Sequence, residues 1–312
     1  MNKVLGNTGL EISRVGLGTV EIGLPYGIGV QELPTEKEAE HVLRSAVEMG
    51  ITYIDTARGY GVAEERIGKF GISQMPGVVI GTKCAQFLKQ EPNLTGAELE
   101  KRIRADIDTS RTNLKQDQLQ LVQLHIELPE QTDFRELVEI MQKLKDEGKV
   151  AHVGVSTRGE EAPLSAYQND IFETSQLAYS ILDQRMASKV LPAAQGKNIG
   201  VINRSVLLKG ALTPKANQLP DGLRPIKENS VKAGLIAEEL GMTLPELAIR
   251  FVASNPAIST ILIGTIKPHH LESALTAANQ EPLSAEVLEK LYTLGITDPD
   301  QVDPGRQPEL WK

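Results

Sequence analysis

The feature that most constrains this chain is a repeat of pattern rather than of residues. Eight times a short apolar run is followed by a segment whose apolar residues recur at helical spacing. Such alternation is how a parallel sheet with crossover helices reads in sequence, and eight units close it into a (β/α)8 barrel. The runs are Val15–Thr19, Ile51–Ile54 closed by Asp55, Val78–Thr82 closed by Lys83, and Leu119–Leu124 closed by His125. Val150–Ser156, Thr174–Ala178, Gly200–Arg204 and Thr260–Gly264 follow. The first helix is expected to start at Thr35, which has capping-box spacing to Glu38, and to end at Gly50. Ala39, Val42, Leu43, Ala46 and Val47 form its buried stripe. Thr95 and Glu98 repeat the capping-box spacing ahead of Leu99, Ile103, Ile107 and Leu114. Phe134, Leu137, Val138, Met141 and Leu144 make the next stripe, and helical segments are expected near Leu164, Met186, Val231–Leu240 and His270–Ala278.

The opening stretch Leu5–Arg14 reads as two short strands joined by an Asn/Gly turn, a hairpin that would plug the base of the barrel. With 312 residues, 40% hydrophobic and 24% charged, the chain can bury one large core. A single domain over 1–312 is expected, its tail from about 295 to 312 packing near the rim. The balance of 33 basic and 41 acidic residues, without a basic cluster, argues against nucleic acid or an anionic membrane as a general partner. One cysteine, Cys84, allows no internal disulfide, and nothing resembles a signal sequence or a membrane span. A cytoplasmic protein is therefore expected, with a small-molecule partner, its oligomeric state left open with a monomer among the options.

Four residues with complementary proton chemistry lie along this frame: Asp55, Tyr60, Lys83 and His125. Each alone has an ordinary structural role, as a cap, a loop anchor, a snorkelling cation or a hydrogen-bonder. Three of them, however, fall at the carboxyl ends of consecutive strands, the rim on which barrels of this type carry their chemistry. Together they suit reduction of a carbonyl, in which a phenol donates a proton as hydride arrives. A tyrosine with its usual pKa near ~10 needs a cation beside it. Lys83 is expected to lower the Tyr60 pKa, Asp55 to hold Lys83 charged, and His125 to orient the substrate oxygen.

These residues stand in Asp55-Thr56-Ala57-Arg58-Gly59-Tyr60-Gly61, followed by Glu65-Arg66-Ile67-Gly68, in Gly81-Thr82-Lys83 and in Gln123-Leu124-His125. With the run Gly148–Ser156, they make the chain resemble the aldo-keto reductase family over nearly its whole length. The resemblance implies a barrel that binds an extended nicotinamide dinucleotide across its carboxyl rim, without a Gly-rich Rossmann loop, and passes hydride to an aldehyde or ketone. NADPH is the family's habit, with NADH an alternative. Ser156 and Thr157 stand where the family holds the carboxamide with Ser-Asn, and Gln176 is their partner. Arg204 occupies the place of a stacking aromatic, where a guanidinium plane can also stack. Ser205, Leu207 and Gly210 match the loop under the pyrophosphate. Gly264, Thr265, Lys267 and His270 match the 2′-phosphate region, in which many members have lysine for Gly264 and arginine for His270. Thr19 and Asp55 complete the expected cofactor contacts.

The loops over the rim would choose the substrate: Val20–Pro34 with Tyr26, the stretch after Lys83 with Phe87, the stretch after His125, and the tail with Trp311. Glu127–Gln131 favours a polar substrate, and 4% aromatic content argues against a wholly aromatic pocket. His41, on a helix, and His269-His270, which do not share a face, give no metal-site spacing, so no metal is expected. Two other readings compete: an aldolase using Lys83 as a Schiff-base amine, and a cofactor-sensing barrel with little turnover.

Overall fold

Ten strands and their connecting helices make up the fold in a computed structural model that describes residues 2–26, 32–126, 128 and 131–311. Strands β1 (Asn2–Val4) and β2 (Glu11–Ser13) pair antiparallel. The barrel strands are β3 (Val15–Gly18), β4 (Tyr53–Asp55), β5 (Val79–Cys84), β6 (Leu119–His125), β7 (Val150–Ser156), β8 (Phe172–Ala178), β9 (Gly200–Arg204) and β10 (Ile258–Gly264). They close in the order β10-β3-β4-β5-β6-β7-β8-β9, each pair parallel. The eightfold repeat is thus a (β/α)8 barrel, and the expected hairpin is present. Its first strand lies ahead of Leu5, where the hairpin was expected to begin.

The hairpin explains which side chains face the lumen. Its Leu5 and Ile12 pack with Tyr53, Val79, Leu121, Ile202 and Leu262 in a closed apolar cluster at the base. Side chains alternate along a strand, so every second residue above these also faces inward. Counting up by two leads from Tyr53 to Asp55, from Val79 to Lys83, from Leu121 to His125, from Ile202 to Arg204 and from Leu262 to Gly264. The intervening residues, among them Ile54, Ile80, Cys84, Val122 and Leu124, join the larger cluster between sheet and helices. Cys84 is therefore a buried filler, and burial pushes its thiol pKa well up.

The expected helices bury their apolar stripes, but not every expected cap forms. Helix Glu36–Glu48 carries the expected capping box: Thr35 Oγ1 accepts from the Glu38 N–H at 3.3 Å, and the Glu38 carboxylate accepts from the Thr35 N–H at 2.9 Å. A cap of this kind is worth about 1 kcal/mol. Helix Gly96–Leu114 does not carry one, because Thr95 makes no side-chain cap bond. The Gly96 N–H instead donates to the Glu136 carboxylate on the neighbouring helix, and Glu98 turns to Lys101 at 3.3 Å. Helix Leu244–Ala253 was not expected. Leu247, Ala248, Ile249, Phe251 and Val252 are buried there, Glu246 and Arg250 make its partly buried polar face, and Thr243 caps it, a local signal that the sequence reading passed over. Among the described residues no helix is long and apolar enough to cross a membrane.

Candidate active site

The strand registers assemble the upper end of the lumen. Gly264 pairs with Gly18, Gly18 with Asp55, and Asp55 with Gly81. On the far side His125 pairs with Ser156 and Ser156 with Gln176, while Ala178 pairs with Arg204. Every barrel strand except β5 therefore ends on an inward residue, and the inward residues toward this end include the expected Asp55, Lys83, His125, Ser156, Gln176, Arg204 and Gly264. Lys83 is not the last residue of its strand, since β5 continues to Cys84.

Lys83 and Asp55 form a buried ion pair, Nζ to Oδ2 at 2.6 Å, with side chains 0% and 3% exposed. Lys83 also donates to the Thr56 carbonyl at 2.8 Å. The second Asp55 oxygen accepts from Gln176 Nε2 at 2.6 Å, so the carboxylate bridges opposite sides of the rim. Thr19 secures the backbone beneath it, its N–H and Oγ1 both donating to the Asp55 carbonyl at 3.0 and 2.9 Å. Burial lifts the Asp55 pKa, against Lys83 and Gln176, which favour the ion. For Lys83 burial acts downward, but Asp55 and Tyr60 outweigh it, and the net direction is up. Lys83 is thus held as the ammonium.

Tyr60 comes from the loop after β4, with its N–H bonded to the Ala57 carbonyl. Its ring lies 5.0 Å from Lys83 Nζ and 6.2 Å from the His125 ring, which it meets edge to face. The expected direction of its pKa needs correction. Burial raises it, Lys83 and Arg204 lower it, Asp55 raises it, and the net shift is upward. Desolvation of a phenolate here is stronger than the attraction of one cation that Asp55 already neutralises.

Behind this group lies a second buried carboxyl that sequence reasoning missed. Glu64, fully buried on helix Ala63–Lys69, accepts from Thr82 Oγ1 at 2.6 Å, with Arg58 at 3.8 Å and Asn113 at 3.4 Å. It ties the outward face of β5 to the helix that follows Tyr60. The residue sits inside the stretch that carries the Tyr60 motif, which was its only signal.

On the opposite side, Thr157 is buried and its hydroxyl has no hydrogen-bond partner among the described residues. Ser156 Oγ reaches Gln176 Oε1 at 3.5 Å. Arg204 Nη2 donates to the Thr157 carbonyl at 3.1 Å. Around it Arg158 pairs with Asp303, and Arg185 forks onto Asp183 with two bonds of 2.8 Å. The Arg158–Asp303 pair joins the rim to the tail segment and left no local mark in the sequence. The loop after β9 holds Ser205, Leu208 and Lys209 at positive φ, and the Gly210 N–H donates to the Leu207 carbonyl within it.

Around β10, Thr265 Oγ1 lies 2.9 Å from His270 Nδ1 and accepts the Lys267 N–H at 3.0 Å. Burial lowers the His270 pKa, as do His269, Lys267 and Lys215. A side chain on Gly264 would lie 3.2 Å from the Glu21 carboxylate, which burial pushes up in pKa. Of the expected substrate contacts, Tyr26 is 44% exposed and within the electrostatic reach of Tyr60 and Arg204. Phe87 lies under Arg102, 4.1 Å from its ring. Trp311 is buried in the apolar core, its carbonyl accepting from Lys209 Nζ at 2.7 Å. Glu127, Pro129 and Glu130 of the expected polar stretch, and residues 27–31 of the first rim loop, lie outside the described residues. Among those described, no group of three or more His, Cys, Asp or Glu could hold a metal ion.

Comparison with known proteins agrees with this architecture. The sequence pattern of the Aldo/keto reductase family matches residues 14–295. The aldo-keto reductase YhdN of Bacillus subtilis (strain 168) is 30% identical over 95% of this chain and 94% of its own length. The NADH-specific methylglyoxal reductase of Escherichia coli (strain K12) is 28% identical, covering 89% of this chain and 94% of that protein. Among solved structures, the holo form of aldo-keto reductase AKR11C1 from Bacillus halodurans shares the fold with a TM-score of 0.77. It is 23% identical, over 95% of this chain and 97% of that one.

Proposed function

The chain belongs to the aldo/keto reductase family, and from that premise we propose that it reduces an aldehyde or ketone to an alcohol with a nicotinamide dinucleotide, Tyr60 acting as general acid. The observation that carries this reading is the buried Lys83–Asp55 pair beside the Tyr60 ring, with His125 across from it. The residues present suit the cofactor. Thr157 offers a buried hydroxyl without a partner next to Ser156 and Gln176, as a carboxamide-binding group should. Ser156, Thr157, Gln176 and Arg204 would hold the nicotinamide end, and Thr265, Lys267 and His270 the adenosine end.

A bound nicotinamide dinucleotide supplies the hydride. The chain supplies the rest. His125 orients the carbonyl oxygen toward the Tyr60 hydroxyl, and Tyr60 gives its proton as negative charge builds on that oxygen. An alkoxide is far more basic than a phenolate, so the transfer runs downhill even from a phenol whose pKa is raised. Lys83 then stabilises the phenolate, and Asp55 keeps Lys83 charged and aimed. The aldolase reading fits less well, because an amine nucleophile must be neutral, whereas Lys83 is ion-paired. NADPH remains favoured by family habit. A neutral His270 and the absent side chain at Gly264 make a weak phosphate clamp, and one relative is NADH-specific. The whole chain is read as one barrel domain, its tail at the rim, acting in the cytoplasm on a small carbonyl compound.

Consumption of NADPH and of NADH with a reactive aromatic aldehyde tests this reading, comparing the native chain with Tyr60→Phe. The variant is expected to bind cofactor and to lose roughly 10²- to 10⁴-fold in turnover. Equal rates would remove Tyr60 as the acid. Tight cofactor binding without native turnover would favour the sensing barrel, toward which the departures at Thr157 and Arg204 point.

A further inference from the structure

Three carboxylates on this rim each answer one cation. Asp55 contacts Lys83, Asp183 contacts Arg185 and Asp303 contacts Arg158. Arg204 stands beside the last two pairs and is itself in none of them. Its Nη2 meets the Thr157 carbonyl at 3.1 Å and its Nη1 the Ser205 hydroxyl at 3.5 Å, both neutral oxygens. Among the described residues no carboxylate lies within ion-pairing distance of it. Burial and the neighbouring Arg158 push its pKa down, and Asp303, Tyr60 and Asp183 do not make up the difference. The guanidinium is anchored to the backbone of Thr157, whose buried hydroxyl has no hydrogen-bond partner among the described residues.

This placement matters because a nicotinamide ring is neutral when reduced and carries one positive charge when oxidised. Resting on the proposed function above, we infer that Arg204 makes the site discriminate between the redox states of its cofactor, holding the reduced form more tightly than the oxidised one. The hydride takes two electrons to the carbonyl carbon, and Tyr60 supplies the proton that completes the alcohol. The positive charge left behind then appears beside an unneutralised guanidinium. Reaction thus loosens the spent cofactor, and the site clears itself for the next reduced molecule.

Calorimetric titration of the substrate-free protein with NADPH, NADP+, NADH and NAD+ tests this without recourse to activity. The reduced member of at least one pair is expected to bind tighter by roughly tenfold or more. Tenfold corresponds to a bound-cofactor potential about 30 mV more positive than that of the free couple. Arg204→Met should bring the two affinities together, chiefly by strengthening the oxidised form, whereas Arg204→Lys should keep them apart. Equal affinities in the native protein overturn the inference whether or not a variant folds, as does a full difference retained by Arg204→Met, with Arg204→Gln as its substitute. If neither form of either cofactor binds the native chain, the functional reading itself falls, and this inference with it.

Discussion

The two sides of the barrel rim are finished differently. On the β4–β5 side each buried charge is answered: Lys83 by Asp55 and the Thr56 carbonyl, Asp55 by Lys83 and Gln176. On the β7–β9 side a buried hydroxyl at Thr157 has no partner, and Arg204 is satisfied by neutral oxygens alone. A buried charge without an opposite charge beside it costs stability, so it is in the charge of Arg204 that the second side is the less settled. In the proposed function the difference has a reason. Groups that perform proton chemistry gain from being held in advance, whereas groups that bind are completed only by what they bind.

Breaking the finished side should have the largest effect. Lys83→Met leaves the Asp55 carboxylate buried and unpaired, and is expected to cost about 3–5 kcal/mol in denaturant unfolding, together with turnover. Adding Asp55→Asn should restore much of the stability and none of the turnover. If the single variant proves as stable as the native chain, the two sides do not differ as described.

The pH dependence sharpens the same comparison. Carbonyl reduction needs Tyr60 protonated, and its pKa lies above the ordinary tyrosine value because burial outweighs Lys83. The rate at saturating cofactor should therefore hold through neutrality and decline only above about pH 10. A decline centred near neutral pH would mean that Lys83 wins after all.

Two substitutions of threonine by valine, nearly equal in shape, then set the sides against each other. Thr82→Val removes a hydroxyl that Glu64 accepts from at 2.6 Å. Leaving a buried carboxyl oxygen short of a donor should destabilise by about 1–3 kcal/mol. Thr157→Val removes a hydroxyl without a hydrogen-bond partner among the described residues, and its unfolding midpoint should hold or rise, while cofactor affinity falls by roughly tenfold, or about 1.4 kcal/mol. Equal stability losses in the two variants would erase the distinction.

Much of this was legible because it is local. Short apolar runs and helical stripes placed the barrel, and alternation along its strands gives the inward parity that gathers Asp55, Lys83, His125 and Arg204. What escaped the sequence depends on distant chain segments. Thr95 and Glu98 have the spacing of a cap, yet Glu136 reaches the helix end instead. Arg158 and Asp303 are 145 residues apart, and no local pattern announces their pairing. Helix Leu244–Ala253, by contrast, did leave a local signal, with Thr243 at capping-box spacing to Glu246 and a polar pair at Glu246 and Arg250. The direction of the Tyr60 pKa required knowing how much water is excluded, a quantity that residue spacing does not carry.

At the other end of the barrel, Gly6 and Gly200 meet backbone to backbone. A β-carbon on Gly6 would lie 2.7 Å from the Asn198 carbonyl oxygen, and one on Gly200 would lie 2.8 Å from the Gly6 nitrogen. Gly6 also has φ +57°, a left-handed conformation that side chains disfavour. Gly200 opens β9 and Arg204 closes it, so the hairpin acts as a stop against which that strand is seated. A methyl group added at this stop would lift the strand like a shim and carry Arg204 out of alignment with Thr157 at the far end. The base that meets no ligand would then set the height at which one is held.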